Sequence, residues 1–156
     1  MSLTIRPLTK EDLDDLMPLI GDFWKYLDDL HEAQGKDFDK EKAKSILAAT
    51  MDWRGHNIYG CYKEGLLVGF TDFWVLPDFF HGGNILNIQN FYVIPDLRGH
   101  GVGTAIMDRI IEIAKEEKVT DVHVEVLEEN VNAQDFYIKM GLGEKMCLLQ
   151  GQFKDA

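Results

Sequence analysis

Apolar and polar positions change period several times along the chain, and each change marks an element. Residues 3–7 read as a short first strand closed by Pro7. Leu13, Leu16, Met17, Ile20, Trp24 and Leu27 then fall at helical spacing, with Thr9 as N-cap and Lys10-Glu11-Asp12 in the first turn. Pro18 lies inside that stripe, so the pattern predicts a helix kinked or restarted there, reaching about residue 30. Asp14, Asp15, Asp22, Asp28 and Asp29 take the other side, as a solvated face does. Gln34-Gly35-Lys36-Asp37 reads as a loop, and a second helix over about 39–51 buries Ala43, Ile46, Leu47 and Met51. Strands follow at about 57–62 and 66–76, joined at Lys63-Glu64-Gly65, and a loop spans Pro77 to Asn84.

The second half has the same clarity. A strand over about 85–93 runs into a glycine-rich turn and a helix over about 101–117, whose Val102, Ile106, Ile110, Ile113 and Ala114 share one face. Residues 121–127 alternate, with valines on one side and Asp121, His123 and Glu125 on the other. A short helix over about 131–140 ends at Gly141, and a last strand is expected over about 143–150. The order β-α-α-β-β-β-α-β-α-β predicts one α/β domain over residues 1–156. Its sheet is mixed and mostly antiparallel, with helices on both faces and a crossover helix joining the fourth and fifth strands in parallel.

Composition narrows the partners. A net charge of −11 and a pI near 4.8 argue against nucleic acid, which needs a basic patch. They suit a cationic substrate, and solubility explains them equally well. No apolar run of membrane length and no signal-peptide core is present, so a cytoplasmic protein is expected. Cys61 and Cys147 sit in apolar strand-like contexts and are expected as buried small hydrophobes, not a disulfide. No metal is expected.

The candidate chemistry centres on Asn90 to Thr104. There Arg98 and three glycines, at 99, 101 and 103, lie between a strand and a helix start. Free backbone N–H groups and the helix dipole suit an anion, glycines let a phosphate approach, and Arg98 adds a full charge. No Gly-Lys-Ser/Thr follows, which excludes a Walker loop. Neither glycine register completes G-x-G-x-x-G/A, which excludes a dinucleotide fingerprint.

Arg98-x-x-Gly101-x-Gly103 resembles the Q/R-x-x-G-x-G/A acyl-CoA loop of the GNAT acetyltransferases. Asn130-Val131-Asn132-Ala133-Gln134-Asp135-Phe136-Tyr137-Ile138-Lys139-Met140-Gly141-Leu142 resembles their second signature, N-x-x-A-x-x-(L/F)-Y-x-K-x-G-F, with Leu142 for the last Phe. The two motifs cover about 85–142. Within the family, the run Ile88 to Val93, the turn Arg98 to Gly103, Arg6-Pro7 and Lys25-Tyr26 look like the spermidine/spermine acetyltransferases. Two departures stand out: Gln89-Asn90 replaces an acidic pair, and Leu27 an acidic residue.

The resemblance implies acetyl-CoA in a wedge where the fourth and fifth strands splay. Phe91, Tyr92 and Val93 would line the pantetheine arm, and Arg98, Gly99, His100, Gly101, Val102, Gly103 and Thr104 would hold the pyrophosphate. Asn130 either meets the pantetheine or caps its helix, Ala133 and Phe136 complete the cosubstrate set, and Tyr137 matches the family's acid. Tyr26, Gln89 and His123 are the candidate acceptor contacts. Gln89 and Asn90 cannot take a proton, so Glu125 is the candidate base, with Asp28 and Asp29 as the other acidic groups within reach of the site. The expected reaction moves acetyl to a small cationic amine in a ternary complex, by a homodimer. The competing readings are a protein or peptide N-acetyltransferase and a non-catalytic acyl-CoA-binding module.

Overall fold

The computed structural model describes residues 2–31, 37–151 and 153. The loop expected at Gln34-Gly35-Lys36 lies outside the described residues. Five strands form one sheet in chain order: β1 (Leu3–Pro7), β2 (His56–Lys63), β3 (Leu66–Asp78), β4 (Gly83–Val93) and β5 (Val119–Val124). Neighbours are antiparallel except β4 and β5, which are parallel. Two residues turn the β2–β3 hairpin: Glu64 and Gly65 both adopt positive φ, at 52° and 80°, between Lys63 and Leu66, which pair.

Helices cover both faces. α1 (Leu13–Leu30) and α2 (Lys40–Thr50) lie on one, where Leu13, Leu16 and Leu19 meet Ile58, Phe70 and Tyr92. α3 (Val102–Glu116) lies on the other, its Val102, Ile106, Met107 and Ile110 packed on Phe73, Leu86 and Ile88. α4 (Val131–Lys139) adds Phe136 to that second core. α1 neither restarts nor ends at Pro18. The proline is exposed, and the helix runs through it without the hydrogen bond its missing N–H would have donated. Asp12 ties α1 to the sheet: it accepts two hydrogen bonds from Arg6 on β1, at 2.8 and 2.9 Å, and one from the Thr9 N–H. The Arg6 hydrogen bonds hold the Asp12 carboxyl well below the usual carboxylate range.

The expected last strand is absent. Residues 143–150 are exposed and pair with no described strand. Met146, Cys147, Leu148 and Leu149 are an unbroken apolar run, which favours extended chain without defining a face, and a strand forms only where a ladder partner exists. Cys147 is therefore exposed, not buried; Cys61 is buried as expected, and burial pushes its thiol up. β5 also stops at Val124, short of the expected 127, because β4 leaves it there.

Candidate active site

The wedge follows from the register of β4. On one side, Asp72 of β3 pairs with Asn90 and Phe73 with Ile88, so Gln89 is an extra residue, a β-bulge. On the other, pairing with β5 ends at Ile88 and Val124, and the Glu125 N–H closes it on the Ile88 carbonyl at 3.0 Å. Beyond the bulge β4 continues to Val93 paired with β3 alone, with no described strand on its β5 side. The Ile94 N–H reaches Val68 and the Asn90 carbonyl accepts from Thr71, so these groups face β3. Strand alternation then turns the backbone groups of Phe91 and Val93 to the open edge.

That edge leads into the glycine turn. A 3₁₀ turn (Pro95–Leu97) precedes Arg98, then Gly99 and Gly101 adopt φ of 76° and 87°. A Cβ at either would meet no atom within 4 Å, so the left-handed backbone demands glycine there, and the space above it is open. The first helical bond runs from Ala105 to Gly101, leaving the N–H groups of Val102, Gly103 and Thr104 at the mouth of α3. His100 donates from Nδ1 to the Arg98 carbonyl at 2.9 Å. Gly103 faces the Phe136 ring, where a Cβ would stand 3.5 Å away in ordinary van der Waals contact.

Arg98 bends back over the wedge. Its Nε donates to the Val93 carbonyl at 2.9 Å, and its guanidinium lies 4.7 Å from the ring centre of Tyr26 and 5.3 Å from that of Tyr92. The Tyr26 hydroxyl donates to Asn130 Oδ1 at 3.1 Å, and the same oxygen accepts from the Ala133 N–H at 3.4 Å. Asn130 is thus a helix cap that also holds α1 to α4. The structure brings Tyr26, Tyr92, Arg98, Asn130 and Ala133 into one bridge.

Tyr137 is 6% exposed, and its ring meets Phe91 edge-on at 5.9 Å, beside Phe136. Burial pushes its phenol well above the ordinary tyrosine value. Among the described residues its hydroxyl makes no hydrogen bond. Glu125 is exposed just past β5, and His123 is half-buried opposite Asn87. Gln89 is exposed and accepts from the Trp74 indole at 3.2 Å.

Sequence reading missed one group. Asp72, 9% exposed in the middle of β3, accepts from Asn90 Nδ2 at 2.6 Å and faces His56 Nε2 at 3.0 Å. The available signal was a lone carboxylate inside the apolar run Val68 to Val75. Away from the wedge, a hollow of about 700 Å³ lies at the β1 edge by Arg6, Asp15 and Tyr62. Asp78, His81 and Asp121 converge at the β3–β4 turn, the one grouping of metal-ligand type among the described residues. Among the described residues no helix is long and apolar enough to cross a membrane.

Comparison with known proteins agrees with this fold. An uncharacterised N-acetyltransferase of Methanocaldococcus jannaschii is 30% identical over 145 residues, which cover 91% of this chain and 61% of that protein. The spermine/spermidine N(1)-acetyltransferase of Bacillus subtilis is 25% identical over 117 residues, covering 72% of this chain and 76% of that one. A ribosomal-protein-alanine N-acetyltransferase of Brucella melitensis biovar Abortus shares the fold at TM-score 0.80, with 22% identity over 98% of this chain and 100% of that one. The acetyltransferase (GNAT) family model matches residues 23–142, from the middle of α1 to the end of the second signature, and the chain belongs to that family.

Proposed function

We propose that the protein transfers acetyl from acetyl-CoA to a primary amine, the acceptor being a small cationic amine bound together with the cosubstrate. The observation that carries this reading is the open edge of β4, which runs from the bulge at Gln89 straight into the glycine turn. An extended pantetheine arm fits beside Phe91 and Val93 as an added strand would, and a pyrophosphate suits the N–H groups from Gly99 to Thr104. Acetyl-CoA supplies an acyl carbon activated as a thioester.

The neutral amine nitrogen attacks that carbon, the C–N bond forms and the C–S bond breaks, and the nitrogen then sheds its remaining extra proton to solvent, leaving the amide and the CoA thiolate. An alkylammonium has a pKa of about 10, so it must first lose a proton. Glu125, exposed where β4 and β5 part, takes that proton through water in this reading. Tyr137 remains protonated at neutral pH. A departing thiolate of pKa about 8.5, by analogy with cysteine, is too weak a base to take its proton outright. Tyr137 therefore stabilises the thiolate as a hydrogen-bond donor. The −11 net charge favours a cationic acceptor.

Calorimetry with acetyl-CoA, followed by CoA release with polyamines, alkylamines, amino acids, aminoglycosides and peptides, tests the reading. Binding without turnover on any amine would leave an acyl-CoA-binding module, and turnover on peptides alone would leave a protein acetyltransferase. Glu125→Gln should lower turnover more at pH 7 than at pH 9, where more amine is already neutral; an unchanged pH profile removes Glu125. A homodimer belongs to the same proposal, supported by the exposed run Met146, Leu148 and Leu149. Light scattering that gives a monomer overturns it.

A further inference from the structure

A cavity of about 300 Å³ lies between the sheet and the α1–α2 pair. Leu16, Ile20 and Phe23 of α1, Leu47 of α2 and Ile58 and Phe70 of the sheet form its walls. Its polar lining is Asp72 and Asn90 alone. Asn90 precedes Phe91 and follows the bulge, so this polar end adjoins the wedge while the apolar end leads away under α2. The carboxylate is held in place from two sides. Asn90 donates to one oxygen, and His56, stacked on Trp74 at 4.4 Å between ring centres, faces the other. His56 Nδ1 faces the Thr50 carbonyl, which only accepts, so Nδ1 carries a proton and the ring orientation is fixed. The Asn90 bond uses one of the carboxylate's roughly four acceptor sites and leaves capacity for a further donor.

We infer that this cavity is the acceptor site and that it takes an alkyl or aralkyl monoamine, its ammonium on Asp72 and its apolar arm between α1 and α2. The inference rests on the acetyl-transfer reading and narrows its acceptor. A polyamine would carry a second ammonium into walls that offer it no anion, and an unpaired buried charge is costly. A monoamine buries only methylenes there, each worth about fourfold in binding.

The test is kcat/KM for ethylamine, butylamine, hexylamine, phenethylamine and spermidine, with acetyl-CoA affinity measured separately by calorimetry. Values should rise about fourfold per methylene up to hexylamine. Spermidine should fall at least about tenfold below hexylamine. Asp72→Asn can accept from Asn90 and donate to a neutral His56, so it retains the local hydrogen bonds. It should raise the hexylamine KM about 10- to 100-fold, as loss of a charge-assisted hydrogen bond does, with acetyl-CoA affinity unchanged. Ile46→Glu, at the half-open rim, should raise the spermidine-to-hexylamine ratio about fivefold by supplying a second anion. Spermidine preferred over hexylamine, no dependence on chain length, or a wild-type KM in Asp72→Asn each overturns the inference while acetyl transfer stands. Absent acetyl-CoA binding overturns the reading beneath it.

Discussion

On one face of the sheet α3 buries Val102, Ile106, Met107 and Ile110 to 1% exposure or less; on the other, α2 buries no residue completely. Both covers sit on the same strands, and β4 serves both, sending Ile88 and Val93 to the α3 core and Tyr92 to the α1 side. The α3 side is filled to the density of a rigid support, which fixes where the glycine turn points. The α1–α2 side keeps a cavity with a polar floor, and α2 reaches α1 partly through an exposed pair, Lys44 with Asp14 at 2.7 Å. One helix layer positions the cosubstrate turn, and the other leaves room. The two signatures read in the sequence lie at the start of α3 and on α4.

The largest effect that would test this contrast is on chemistry. Tyr137→Phe keeps the ring against Phe91 and removes the donor. It should lower turnover about 10²–10³-fold with little change in acetyl-CoA affinity. Wild-type turnover would make Tyr137 a packing residue of the α3–α4 side. Next comes stability. Ile110→Ala should cost about 2–5 kcal/mol, and Leu47→Ala, on the half-buried α2, about 1 kcal/mol with a rise in acceptor KM. Equal shifts in urea midpoint would erase the difference between the faces.

Arg98→Ala tests the bridge between them and should weaken acetyl-CoA binding by about 1.5–3 kcal/mol. Calorimetry showing no change would confine Arg98 to its contacts with Val93, Tyr26 and Tyr92. Smallest is Asp12→Asn, predicted to cost about 1–2 kcal/mol at pH 7, discounted because Arg6 is partly exposed. The folded-state pKa of Asp12 is depressed, so its contribution is present above the unfolded value of about 3.9 and fades as pH falls below it. The gap between mutant and wild type should therefore close below about pH 4; a gap constant down to pH 3 refutes the ion-pair account.

What the sequence made legible shares one property: the constraint is local. Positive φ at 99 and 101 writes glycine directly, and the N-cap of α4 writes Asn130. Helical stripes announced α1 and α3 for the same reason. Most of the misreadings are matters of pairing, although Ile46, expected inside, is 54% exposed on α2. The run at 143–150 had strand composition but no partner, and β5 ended where β4 bends away. Asp72 was passed over because its meaning depends on two partners. His56 lies 16 residues before it and Asn90 18 residues after, and only the β2–β3–β4 register unites them.

The bulge at Gln89 gives the sheet an incomplete edge in its interior, not at its rim. Amide protons at Phe91 and Val93 have no strand carbonyl to protect them, although both residues lie in a well-packed strand. They should exchange with solvent deuterium far faster than those of Ile88 or Tyr92, and slow sharply when an extended ligand arm supplies the missing acceptors. Exchange at two amides would then report occupancy of the wedge whatever amine is present, separating the loading of the cosubstrate from the choice of acceptor.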